Sequence, residues 1–205
     1  MTSNSGEIWV LLLAPLLGFP LPLLPIQILW VNLVTDGLPG LAFSAEPAEP
    51  DVMRRPPRPP RESVFAHGMW QHMLWFGLLI GGLSLLTAAG VDMTDLERWR
   101  TMVFTTLVTA QLFQALAIRS ETESLWTLGL LSNRYMLGAV LATLAAQILV
   151  TYVPIFNAVF KTVPLSADEL ALCLGLGFAV LPLVELEKWL ARRGLIFGAE
   201  RATNP

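Results

Sequence analysis

Charge is scarce in this chain. Asp, Glu, Lys and Arg make up 14% of 205 residues, where a soluble domain carries about a quarter. With 54% hydrophobic residues and a mean hydropathy of +0.60, the deficit excludes an ordinary soluble domain and points to lipid-facing surface, which needs no charge. Cysteine is nearly absent: Cys173 stands alone in an apolar run, so neither a disulfide framework nor a Cys-based metal site is available. It reads as a small packing residue. No Lys or Arg precedes Arg54, so the first apolar run has no positive n-region and is not a secretory signal peptide. The opening MTSNSGE runs straight from polar residues into a hydrophobic helix, which suggests that Met1 lies within a longer protein. The two histidines, His67 and His72, are five apart rather than four and have no acid beside them, so a surface role is expected. Nothing suggests a nucleic acid partner.

What is abundant is apolar length. Six runs stand out: Ile8–Leu24, Ile26–Phe43, Met69–Val91, Thr101–Ile118, Tyr135–Phe160 and Leu170–Val184. A spanning helix needs about 20 apolar residues, with a range of about 17 to 25. The fifth run is slightly long, so its end is expected to include a loop. The sixth is short unless Glu185, Glu187 and Lys188 snorkel into the headgroup layer. Pro15, Pro20, Pro22 and Pro25 mark the far end of the first helix and a turn into the second. The expectation is an all-α, polytopic membrane bundle of six transmembrane helices. Placing the Pro47–Arg61 loop in the cytoplasm puts ten basic residues inside and three (Arg98, Arg100 and Lys161) outside, a positive-inside bias that makes both termini cytoplasmic. Gly81 and Gly82 are expected to let helices approach closely. Trp70, Trp75, Trp99 and Trp189 are expected to form an aromatic belt. Asp92, Asp95 and Glu97 make an acidic outer loop that is not a site.

The longest connection, residues 45–67, begins acidic, turns basic and holds six prolines between Pro47 and Pro60. It cannot form a regular helix and is expected to be extended and stiff. Composition favours a linker whose arginines set topology over a docking strap for a cytoplasmic domain.

The second run carries the chemistry. LWVNLVTDGLPG, Leu29 to Gly40, places Asn32, Thr35 and Asp36 within an arc of about 100° on one helix face. An acid at mid-membrane costs about 2.5–3.5 kcal/mol on insertion scales and marks a functional site by default. Gly37, Pro39 and Gly40 are expected to disturb the helix just after Asp36 and free carbonyl oxygens. Such backbone is tolerated at membrane depth only inside protein or beside a wet cavity. Oxygen donors without nitrogen or sulfur suit a hard cation such as Ca2+, Mg2+ or Na+. An interhelical hydrogen-bond cluster is the plainer alternative. Asn4 and Glu7 share a face of the first helix at i and i+3, and Gln111 interrupts the uncharged fourth run. Taken singly, these three suit interfacial or packing roles.

Taken together, these motifs resemble a family. LWVNLVTDGLPG followed by EPDVMRRPPRPPRESVF is similar to the sixth transmembrane helix and following cytoplasmic loop of P-type cation-transporting ATPases, closest to the sarco/endoplasmic-reticulum-like calcium pumps and their bacterial relatives. SNSGE resembles the middle of the fifth helix, TMVFTTLVTAQLFQALAIRSETESL the eighth, and LPLVELEKWLARRG the end of the tenth. The resemblance runs from Ser3 to about Gly194. It implies one membrane domain over residues 1–194 with a cytoplasmic tail at 195–205. It also implies that Asn4, Glu7, Asn32, Thr35 and Asp36 ligate the transported cation, Asp36 corresponding to the acid shared between two calcium sites. Asn32 fits the calcium branch, because the sodium–potassium branch has an acid there. The proline-rich loop matches one that contacts the phosphorylation domain. Gln111 departs from the pattern, since two-site calcium pumps carry Glu there and plasma-membrane pumps, which move one ion, carry Gln. One strong and one weakened site are expected, although Glu7 argues for two.

The resemblance thus implies Ca2+ as transported ion, with a Na+-transporting relative as the alternative. The chain contains no DKTGT and no TGES motif, so ATP and Mg2+ are expected to act only through other domains and this chain alone should not hydrolyse ATP. The implied partners are the lipid bilayer and the N-terminal helices and cytoplasmic domains of the same pump, and the short, cysteine-free outer loop between the third and fourth runs suggests a bacterial cytoplasmic membrane. The rival expectation is a truncated or split protein serving as a non-catalytic scaffold or pump modulator.

Overall fold

Proline and glycine set the helix ends more sharply than hydrophobicity does. The structure, a computed structural model, describes residues 1–47, 69–87, 94–120 and 124–193. The proline-rich loop beyond residue 47, His67, Asp92 and the tail expected at 195–205 lie outside them. All regular structure among the described residues is helical. Helix α1, Thr2–Leu16, stops well short of the expected Leu24. Gly18 takes a left-handed conformation (φ 81°), and Phe19 N–H and Gly18 N–H bond back to the carbonyls of Ala14 and Pro15. That pair of bonds terminates a helix with its last carbonyls satisfied. Pro20 and Pro22 then keep the chain extended. Pro25 opens α2 (Pro25–Trp30) at the first helical position, where a missing N–H is harmless.

The second run continues through a π-helical turn, Val31–Thr35, into α3, Gly37–Phe43. The irregularity thus lies before Asp36, not after it as the sequence suggests. Asp36 N–H bonds to Val31 O at 2.9 Å, five residues back. Pro39 falls in the first turn of α3, where proline needs no intrahelical donor, so the helix resumes instead of breaking. There follow α4 (Met69–Thr87), α5 (Leu96–Ala117), the short α6 (Leu125–Leu128), a single 3-10 turn at Leu130–Ser132, α7 (Arg134–Tyr152), α8 (Pro154–Phe160) and α9 (Ala167–Arg192). The fifth run is divided at Val153, which is extended ahead of Pro154. The sixth continues through its charged end to Arg192.

Among the described residues, four segments are long and apolar enough to cross a membrane: Pro25–Phe43, Met69–Thr87, Arg134–Tyr152 and Ala167–Arg192. Their outer faces are apolar, with Trp75, Leu141 and Phe178 at 68%, 57% and 49% exposure, the surface lipid favours. Helix α5 is the centre of the bundle, packed against α4, α7 and α9. Sixteen of its 22 residues are buried. Because protein encloses it, α5 can be polar: Thr101 and Thr109 donate to Glu97 O and Thr105 O one turn back. Trp99 is fully buried against Phe19 and so is not part of an interfacial belt, unlike the exposed Trp70 and Trp75.

Helices cross closely where side chains vanish. A Cβ on Gly77 of α4 would collide with Ser5 of α1, and one on Gly81 would lie 2.9 Å from the Trp9 Cβ. Gly177 of α9 sits against Thr109 of α5 in the same way. Gly82, expected to serve such a crossing, faces open space.

Candidate cation site

The π turn carries Asn32 and Thr35 into the region where α1 and α5 meet it. Asn32 Nδ2 donates to Glu7 Oε2 of α1 at 3.0 Å, and to Ile28 O one turn back at 3.0 Å. Gln111 of α5 donates through Nε2 to Ser3 O of α1 at 3.2 Å. Asp36, half-buried, interacts with the Ser3 side chain. Glu7, Thr35 and Gln111 are buried at 6%, 2% and 3% exposure. Asn32 is exposed. Asn4 is exposed as well, and its side chain joins none of these hydrogen bonds.

Each of the three buried residues keeps one oxygen unpartnered: Glu7 Oε1, Thr35 Oγ1 and Gln111 Oε1. A buried acceptor without a partner costs about 1–3 kcal/mol, and the elements that meet here carry two acids, Glu7 and Asp36. Pro39 has no N–H to offer, so the Thr35 carbonyl also lacks its usual intrahelical donor. These are requirements that a hard cation meets, through oxygen ligands and positive charge. Among the described residues no group of three His, Cys, Asp or Glu is present. With only two acids and otherwise neutral oxygens, the site does not suit a soft metal.

Other polar clusters were not legible in the sequence. Arg119, two residues past α5, buries its side chain completely against Glu46, with Nη2 to Oε1 at 2.7 Å. Lys188 does not snorkel: its Nζ is buried and donates to Ala117 O at 2.6 Å and to Glu185 Oε1 at 3.3 Å. Glu185 in turn accepts from Ser124 Oγ and Leu125 N–H. His72 is paired across helices with Glu187 at 2.6 Å, a contact between α4 and α9 that separation in sequence conceals.

A helical bundle with apolar outer faces defines a polytopic membrane domain. The chain belongs to the family described as cation transporting ATPase, C-terminus, whose model matches residues 20–190. It is 42% identical over 179 residues to a calcium-transporting ATPase of Bacillus subtilis (strain 168), covering 86% of this chain and 20% of that protein. Against calcium-transporting ATPase type 2C member 1 of Homo sapiens it is 35% identical over 194 residues, 94% of this chain and 21% of the relative. A calcium-transporting ATPase 1 of Yarrowia lipolytica (strain CLIB 122 / E 150) is 32% identical over 206 residues, covering 100% of this chain and 21% of that protein. The chain therefore spans roughly a fifth of the length of these relatives.

Proposed function

We propose that this chain is the membrane portion of an ATP-driven calcium pump and holds much of its intramembrane ion site. The observation that carries the proposal is the set of three unpartnered buried oxygens, on Glu7, Thr35 and Gln111, beside the Asp36 carboxyl. They come from three different elements, so an ion held there would feel any relative movement of α1, the π turn and α5. The similarity to calcium-transporting ATPases supports Ca2+ as the cargo. In this proposal Glu7, Asn32, Thr35, Asp36 and Gln111 supply side-chain oxygens and Asn4 joins them from its exposed position. Ca2+ takes six to eight oxygens, and the remainder would come from helices elsewhere in the same pump.

The proposed architecture is six spanning helices, with both ends of residues 1–194 and the tail on the cytoplasmic side of a bacterial membrane. Two further crossings would be α1 and the enclosed α5, neither of which passes on apolar length alone. ATP, Mg2+ and phosphorylation would enter through cytoplasmic domains outside this chain, which has no DKTGT motif. The test is Asp36→Asn in the full-length pump, assayed by Ca2+ uptake into sealed vesicles with Na+ as the competing cation. A loss of at least about tenfold in apparent Ca2+ affinity, equivalent to about 1.4 kcal/mol, is the expected result. Unchanged affinity and uptake would overturn the assignment. ATP-driven uptake of Na+ in place of Ca2+ by the unsubstituted pump would identify a sodium-transporting relative.

A further inference from the structure

The helix that carries Asp36 is tied down on both sides of its π turn, to the same neighbours each time. On the α2 side, Trp30 Nε1 donates to Gln147 Oε1 of α7 at 3.1 Å, and Gln147 Nε2 donates to Thr105 Oγ1 of α5 at 3.3 Å. Gln147 and Thr105 are buried. On the α3 side, Asn133 Nδ2 donates to Ala42 O at 3.1 Å and to Glu46 Oε2 at 2.7 Å. Arg119 completes this second anchor: Nε contacts both Glu46 oxygens at 3.1 Å, Nη1 reaches Gly129 O at 3.1 Å, and Nη2 donates to Ser132 Oγ.

We propose that Arg119 is a positioning residue for the cation site: its guanidinium locks the Asp36-bearing helix to the Gln111-bearing helix. The geometry is direct. Asp36 immediately precedes α3, and Glu46 lies three residues beyond the end of α3. Gln111 is in the last two turns of α5, and Arg119 lies two residues beyond its end. Two short helical rods therefore run from the ligands to one buried ion pair, and at 1.5 Å per residue each spans roughly 12–15 Å. Arginine suits this place because its planar fork grips both oxygens of a carboxylate and two further acceptors at once, four acceptor atoms where a lysine has only three donors. Helix α1 meets these two helices through hydrogen bonds, Asn32 to Glu7 and Gln111 to Ser3 O. Asp36 and Gln111 thus form one frame, closed at its far end by the Arg119–Glu46 pair.

This inference rests on the pump reading, so the experiment measures both in the same full-length protein. Wild type, Arg119→Lys, Glu46→Gln and the double variant are purified, and Ca2+-induced thermal shift and Ca2+-dependent turnover are titrated. A wild-type protein without any Ca2+ response overturns the pump reading and this inference with it. Given a wild-type response, each single variant is expected to raise the half-saturating Ca2+ concentration about tenfold. Turnover at saturating Ca2+ should stay within about twofold, and the double variant should be no worse than either single one. Arg98→Lys alters a more exposed set of pairs, to Asp95 and Glu169 at the far end of α5, and is expected to leave half-saturation unchanged. Variants that melt lower yet keep the wild-type half-saturation would show a staple without a positioning role and overturn the proposal. Should Arg119→Lys fail to fold, Glu46→Gln alone decides the matter by the same criterion.

Discussion

At the scale of single residues, the candidate site is a place where hydrogen bonding is left unfinished. Most buried polar side chains in this bundle are satisfied, often by their own helix one turn back, as Ser84, Thr143 and Thr151 are. Thr35 is not: its hydroxyl is buried and unpartnered. The two conditions therefore pull in opposite directions. Without a cation, Thr35→Val removes a desolvated hydroxyl and is expected to stabilise the protein by up to about 1–3 kcal/mol. With the cation present, the same change removes a ligand. In the full-length pump, the melting temperature in chelator should rise while the shift produced by Ca2+ shrinks. A variant that melts lower in chelator and keeps the full Ca2+ shift would show that Thr35 is an ordinary packing residue. The types and spacing of Asn32, Thr35 and Asp36 were legible in the sequence, because an acid in an apolar run is conspicuous. Their geometry was not, since the π turn ahead of Asp36 has no composition of its own, and Pro39 drew attention to the wrong side. The Arg119–Glu46 pair was hidden altogether, its partners lying 73 positions apart.

At the scale of elements, helix existence followed from apolar length, while helix ends followed from local chemistry that a hydropathy window averages away. Gly18 closes α1 early, Pro154 divides the fifth run, and the Ser166–Glu169 capping box starts α9 three residues ahead of its apolar stretch. Neighbouring glycines also have different jobs. Gly77→Ala would drive a methyl group into Ser5 of α1, and overpacking of this kind costs typically about 1–3 kcal/mol. Gly82→Ala meets nothing and gains helix propensity of up to about 1 kcal/mol. Thermal unfolding in detergent should therefore place the two variants on opposite sides of wild type. Equal midpoints would mean that α1 and α4 do not cross at Gly77 as described. Because Ser5 lies two residues before Glu7, Gly77→Ala is also expected to weaken Ca2+ binding, whereas Gly82→Ala should leave it intact.

At the scale of the molecule, most charges among the described residues lie at or near helix ends, where they join elements that the apolar middle only packs. Arg98 links the start of α5 to the start of α9, Lys188 links α9 to the end of α5, and Glu46 links the end of α3 to Arg119. This explains why a low-charge chain can still have a specific arrangement: apolar faces in lipid distinguish one packing from another poorly, and polar contacts between charged side chains and their partners select which ends meet. The Glu46 pair makes that testable by pH. Burial alone would push its carboxyl upward, but hydrogen bonds from Arg119 and Asn133, with the Arg119 charge, outweigh burial and hold it below its ordinary 4.5. A group depressed in the folded state contributes stability that is complete above its unfolded value and is lost as pH falls through the folded value. The difference in melting temperature between wild type and Glu46→Gln should thus stay constant from pH 7 down to about 5 and then shrink as the carboxylate is protonated. A difference that persists unchanged well below pH 4 would mean that the contact is held by shape and not by charge. In that case Gln at position 46 should support the cation site as well as Glu does.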